Sequence, residues 1–289
     1  MSIRKVTIRY GTSLVPSFAK LIDVVPPKQS DWDQTLVFPE TRLNNEKSLE
    51  KLKRPSLSAV LGVINDQKGL YMWQKGMIDE MGMAGFRKTM NERLVLGINV
   101  HKKVESLLKL RGEKNGDEAA LVKLIDSEKD VLHRNYMKSA LPIVLEIEKP
   151  EKAICEKSLQ HPLLAYQGRF DAVVSYKNSW SILDWKTAPA RSSFGKKGED
   201  SISYITYTRQ LAAYASAFNY DPKFCEAPLV KTGLLVSLKE DGAEADIFEI
   251  NEEDMQKTFE ELKPKMQELW EKIDKSTGPN LDFAYKPLD

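Results

Sequence analysis

Apolar and polar positions change period along this chain, and the change divides it. From about residue 57 the apolar residues recur every three or four positions, as one face of a helix requires. The pattern predicts helical segments over about 57–80, 86–111 and 117–138. In the second, Val100, Val104, Leu107, Leu108 and Leu110 form the apolar stripe, and Gly112 closes it before the turn Lys114-Asn115-Gly116-Asp117. Beyond Pro142 the pattern turns to alternation. Strands are predicted at about 143–148, 152–160, 163–176 and 180–187, with Lys177-Asn178 as a two-residue turn between the last two. A long polar loop follows, then a helix at about 204–219, a second hairpin at about 229–250 around Asp241-Gly242, and a closing helix at about 252–274. Helices, a strand meander, a helix, two strands and a helix make an α/β domain with a helical N-terminal part.

Residues 23–55 are rich in Pro, Asn, Asp and Lys without a sustained period and read as an irregular arm. Residues 1–22 carry Arg4, Lys5, Arg9 and Lys20 and no acid before Asp23, which fits an organelle transit segment. The alternation Val6-Thr7-Ile8-Arg9-Tyr10 fits a first strand equally well. The expected division is an arm or candidate transit segment at 1–54 and a single domain at 55–289, its helical part about 57–140 and its core about 141–289.

Composition narrows the chemistry. Lysine and arginine total 43 against 42 acids, a net charge of +1, so a basic coat for polyanions is excluded and any such site must be a local cluster. Two cysteines, Cys155 and Cys225, cannot supply a four-thiolate iron–sulfur cluster or zinc site, and both are expected in the core. No run of 18 apolar residues occurs, so no membrane-spanning helix is expected.

The hairpin carries the sharpest candidate chemistry. With Lys177-Asn178 as the turn, Tyr176 faces Ser179, and by the same count Asp171 faces Asp184. Side chains directly opposite share a face, and Lys186, two residues past Asp184, shares it too. Two carboxylates so close repel unless a proton or cation lies between them. A divalent ion of the Mg²⁺ type answers that need, and a lysine beside it suits phosphodiester hydrolysis. A strand face with ordinary surface ion pairs would show the same residues, so both readings stand on the hairpin alone. Gln210 and Tyr214 share a helix face at i, i+4, as do His101 and Glu105. Glu156, on the preceding strand, is a further carboxylate within reach of a metal. Tyr71, Trp73 and Phe86 are candidates either for core packing or for stacking on unpaired bases.

Taken in order, His101, Gly168-Arg169-Phe170-Asp171, Asp184-Trp185-Lys186-Thr187 and Gln210-x3-Tyr214 resemble the RecB-like branch of the PD-(D/E)XK nucleases, and within it the mitochondrial genome maintenance exonuclease family. The likeness is best at 97–106, 158–187 and 210–214, extends loosely from about Pro55 to the C-terminus, and is absent from residues 1–54. It implies a mixed sheet flanked by helices, Mg²⁺ or Mn²⁺ at Asp171 and Asp184 with the Trp185 carbonyl as a further ligand, and Lys186 as the catalytic lysine. Glu156 and His101 are additional candidate ligands. Gln210, Tyr214 and His101 would support the metal centre and the DNA strand, and Arg191, Lys196 and Lys197 in the polar loop are candidate phosphate contacts. The implied activity is exonucleolytic cutting of single-stranded DNA in the mitochondrial matrix, with no iron–sulfur cluster and no membrane. A binding protein of the same fold that does not cut, and an RNA- or duplex-directed nuclease, are the alternatives. Phe170 stands where the family name has proline.

Overall fold

In the computed structural model, residues 56–65, 68–188 and 202–274 are described. The arm and candidate transit segment, and Arg191, Lys196 and Lys197 of the polar loop, lie outside them. The elements are α1 (Leu57–Ile64), α2 (Lys68–Gly112), α3 (Glu118–Ser127), α4 (Val131–Glu146), β1 (Ile154–Gln160), β2 (Gln167–Tyr176), β3 (Ser179–Ala188), α5 (Ile202–Tyr220), β4 (Thr232–Lys239), β5 (Asp246–Ile250) and α6 (Glu252–Asp274). The five strands form one mixed sheet in chain order. β1, β2 and β3 are an antiparallel meander; β3 and β4 run parallel across the α5 crossover; β4 and β5 close as an antiparallel hairpin. A parallel pair needs such a crossover, and the helix that supplies it is held against the sheet.

Each face of the sheet is covered. On one side Leu57 and Val60 of α1, Leu211 to Phe218 of α5, and Met255, Phe259, Leu262 and Met266 of α6 pack on Phe170, Val173, Ile182 and Leu235. On the other, Val100, Val104, Leu107 and Leu108 of α2 join α3 and α4 over Ala172, Val174, Leu183 and Trp185. The N-terminal helices are therefore a layer of the domain as well as a leading segment. Tyr71 and Phe86 are buried, whereas Trp73 is 38% exposed, edge-on to Phe86 and beneath the Arg93 guanidinium.

Three local readings of the sequence are revised. The predicted strand at 143–148 is the last turn of α4, which runs through Pro142. Tyr136, Met137, Ala140, Ile143 and Val144 keep the helical spacing across the proline and are all buried, so packing outweighs one lost backbone bond. The single predicted helix at 117–138 is two, each capped by an aspartate: Asp117 accepts from the Ala120 N–H and Asp130 from the His133 N–H. Of the two cysteines only Cys155 meets the core: it is half-buried and packs against the α2-side cluster, whereas Cys225, just past a short turn of 3₁₀ helix, is exposed. The break expected between 80 and 86 lies at Gly82, whose φ of 73° and ψ of 166° interrupt α2 in a conformation open to glycine.

The hairpin has the predicted register from Tyr176–Ser179 to Ala172–Leu183, and the expected Asp171–Asp184 pair lies just beyond its last paired residues. Ala172 pairs with Leu183 and Tyr176 with Ser179, and Lys177 and Asn178 both take positive φ (47° and 61°), as a type I′ turn requires.

Candidate metal centre

Regular pairing stops where the acidic residues begin. Outward from Ala172 and Leu183, the Asp171 carboxylate reaches from β2 to β3, where its Oδ2 accepts the backbone N–H of Trp185 at 2.8 Å. On the other flank, the β1–β2 ladder pairs Cys155 with Ala172 and Lys157 with Phe170 but skips Glu156 and Asp171. Glu156 has φ 53°, a left-handed conformation that costs a residue with a Cβ about 1–2 kcal/mol. β2 also rotates here. Phe170 and Val173, three residues apart, pack on the α5 side, while Ala172 and Val174 face α2. Residues three apart in a regular strand would face opposite sides. The two strands thus twist together at one point, and the carboxylates at that point leave the sheet plane.

His101 meets them from α2. Its helix buries Val100 and Val104 against the sheet, which places the imidazole at the rim of that contact. His101 Nδ1 lies 3.2 Å from Asp171 Oδ1 and 4.0 Å from Glu156 Oε1. One ligand atom from each of His101, Glu156 and Asp171 falls within 4.8 Å of the other two. Burial pulls the imidazole pKa down, but the hydrogen bond and charge of Asp171, with Asp184 and Glu156 behind it, outweigh burial and leave it raised. Burial also raises Glu156, with Asp171 adding repulsion and Arg169 opposing. Arg169 Nε donates to Glu156 Oε2 at 2.6 Å.

Asp184 and Lys186 come from the same face of β3, two residues apart, as the alternation predicts. Lys186 Nζ stands 2.5 Å from Asp184 Oδ2. The contact is an ion pair of poor hydrogen-bond alignment, for the buried Oδ2 has no aligned donor. Burial pushes the Asp184 carboxyl up to about 6 against the pull of Lys186, and Asp171 adds to the rise. Gln210 Oε1 accepts from Lys186 Nζ at 3.3 Å, and the same ammonium lies 4.3 Å above the Tyr207 ring. Burial raises the Tyr214 phenol, and a hydrogen bond with Gln210 partly offsets it. Gln210 therefore links Lys186 to Tyr214, and α5 presents Tyr207, Gln210 and Tyr214 on one face at spacings of three and four.

The sequence-derived candidates His101, Glu156, Asp171, Asp184, Lys186, Gln210 and Tyr214 come together; Trp185 touches the cluster through its backbone N–H, which donates to Asp171, and its indole is buried on the α2 side. Tyr207 and Arg169 carry contacts that sequence reasoning missed. Tyr207 was detectable as the residue three before Gln210. Arg169 required knowing that Ser158, its cross-strand partner, places it beside Glu156.

Three carboxylates and an imidazole converge, with one ammonium ion-paired to one of them and an arginine to another. The His101, Glu156 and Asp171 ligand atoms, within 4.8 Å of one another and beside the buried Asp184–Lys186 pair, form an oxygen-rich set that fits a hard divalent cation. The family profile of the PD-(D/E)XK nuclease superfamily matches residues 76–284. The chain belongs to that superfamily. Its members use divalent metal ions, which the donor set here accommodates. Among characterised relatives, "Mitochondrial genome maintenance exonuclease 1" of Mus musculus is 24% identical over 83% of this chain and 67% of its own length. The protein of the same name in Homo sapiens is 25% identical over 66% of this chain and 51% of its own. That of Xenopus tropicalis is 26% identical over 61% and 45%. This nuclease-superfamily chain thus aligns with about half to two thirds of the relatives' length. No helix among its described residues is long and apolar enough to cross a membrane.

Proposed function

We propose that this chain is a metal-dependent deoxyribonuclease that cuts single-stranded DNA exonucleolytically and serves mitochondrial DNA maintenance. The observation that carries the reading is the convergence of His101, Glu156 and Asp171 from three elements beside the Asp184–Lys186 pair. Substrate and compartment rest on the relatives' names and on the basic, acid-free residues 1–22.

Asp171 and Asp184 would hold the ion, Mg²⁺ or Mn²⁺, with the Trp185 carbonyl, Glu156 and His101 as further donors. A bound divalent ion supplies positive charge that polarises the phosphodiester and makes water a better nucleophile. Asp171 also fixes the β3 backbone at Trp185 through the 2.8 Å hydrogen bond, so the carboxylate and the strand that bears Asp184 are set together. Lys186, steadied by Gln210 and the Tyr207 ring, orients the attacking water and takes up negative charge as phosphorus becomes five-coordinate. Gln210 and Tyr214 fix the lysine and border the strand. A role in binding alone does not require Asp171, Asp184 and Lys186 together.

Incubating end-labelled single-stranded DNA with the protein and Mg²⁺ tests the reading. Lys186→Ala is expected to lose at least about a hundredfold in rate. Cleavage by Lys186→Ala at the parent rate refutes the assignment. A parent that binds DNA without cutting it establishes the silent alternative, and a panel of RNA and duplex substrates tests the preference for single-stranded DNA.

A further inference from the structure

A cavity of about 420 Å³ is lined by Ser158, Gln160, Gln167, Arg169 and Lys223 together with Ser56, Leu159 and Gly168. We propose that it is a phosphate subsite for the nucleic-acid strand, a deeper feature of the nuclease reading above and dependent on it for the identity of that strand. Its floor is the end of the β1–β2 ladder, where Ser158 pairs with Arg169, Leu159 with Gly168 and Gln160 with Gln167. The lining holds two cations, hydroxyls and amides, and no carboxylate.

Lys223 is built into this wall. Asp221, 1% exposed, accepts the Gln160 N–H through Oδ2 at 2.9 Å and the Lys223 N–H through Oδ1 at 3.0 Å. The carboxylate thereby ties the turn bearing Lys223 to the edge strand, with both its oxygens occupied by amides. Among the described residues the Lys223 ammonium has no ion-pair partner, whereas Arg169 is shared with Glu156 of the metal cluster. Arg169 lines the cavity and pairs with Glu156 of the metal cluster, so an anion held beside Lys223 would share this arginine with the site at Asp171. A cationic pair with hydroxyl and amide donors suits a phosphate and reads no base. The phosphate is either the terminal monoester of the strand or an internal diester.

Two measurements on the full chain test the subsite. In metal-free protein, labelling of lysines by an amine-reactive ester is read by mass spectrometry with inorganic phosphate, the 5′-phosphorylated thymidine dinucleotide, or its unphosphorylated form. At ten times the dissociation constant, protection of Lys223 should reach about tenfold. Lys231, paired with Glu252 outside the cavity, should label unchanged. Stronger protection by the phosphorylated dinucleotide assigns a terminal phosphate, and equal protection an internal one. Absence of protection by all three overturns the proposal. Second, Lys223→Ala should lower the slope of log affinity against log salt for a single-stranded oligonucleotide by about 0.7, one phosphate contact; a parental slope overturns it. Lys223 protection in a protein that cuts no nucleic acid sustains the subsite and sinks the nuclease reading; cleavage without protection does the reverse.

Discussion

Gly168→Ala should damage the site without touching a charged group. A Cβ built at Gly168 lies 2.4 Å from Tyr214 Cε1, 3.0 Å from its hydroxyl and 3.1 Å from Cζ. Carbon atoms in contact prefer about 3.5–4.0 Å, so the ring must retreat by roughly 1 Å. It has little room, for Tyr214 is 5% exposed and the neighbouring Leu211, Ala213, Ala215 and Phe218 are fully buried. Such overpacking costs about 1–3 kcal/mol. The φ of Gly168 is not positive, so alanine brings no backbone strain and by itself would stabilise by about 0.4–1 kcal/mol through the unfolded chain. The cost should therefore vanish, or reverse, in a Tyr214→Ala background. Displacing the phenol also disturbs Gln210 and through it Lys186, and a shift of about 1 Å in a positioning group can cost about a hundredfold in rate. Denaturant unfolding of the four proteins of the cycle, with cleavage rates for the single variants, provides the assay. An unchanged Gly168→Ala midpoint, or the same loss with Tyr214 absent, refutes the steric argument.

Other outcomes follow from single contacts. His161, fully buried, accepts the N–H groups of Leu163 and Leu164 at Nδ1 (3.2 and 3.0 Å), which leaves Nε2 to donate to Ser216 at 3.1 Å. His161→Leu leaves those amides and the hydroxyl without this partner and should cost about 2–4 kcal/mol by denaturant melting; a loss under 0.5 kcal/mol contradicts the bonding scheme. Asn178→Gly should raise stability by a few tenths to about 1 kcal/mol, because φ is 61° there; a drop in the unfolding midpoint would count against the turn type. Gln210→Leu should lower the cleavage rate by about 10- to 100-fold at nearly parental stability, since it removes the carbonyl that steadies Lys186; an unimpaired rate would remove Gln210 from the site.

Much of this was legible because strand geometry is arithmetic. A turn at Lys177-Asn178 fixes the partners from Tyr176–Ser179 to Ala172–Leu183, and period two puts Asp184 and Lys186 on one face. The helix faces of Gln210 and Tyr214 followed by the same logic with period 3.6. What failed was local. Pro142 looked like an end because proline removes a bond, yet buried Ile143 and Val144 extend the helix by tertiary packing. Glu156 was only one of several acids in its stretch, since nothing in the sequence marks the left-handed turn that detaches it from the ladder. The Lys223 cavity was illegible for a related reason: Asp221 ties Lys223 to Gln160, 61 positions before that aspartate.

The central claim is that Asp171 and Asp184 bind a divalent ion for phosphodiester cleavage. An anomalous-scattering map of a Mn²⁺-soaked crystal tests it most directly. The expected peak touches both Asp171 and Asp184, with Glu156, His101 or the Trp185 carbonyl completing the shell and Lys186 nearby. A map with no peak at these aspartates, in crystals that bind Mn²⁺ elsewhere, would contradict it.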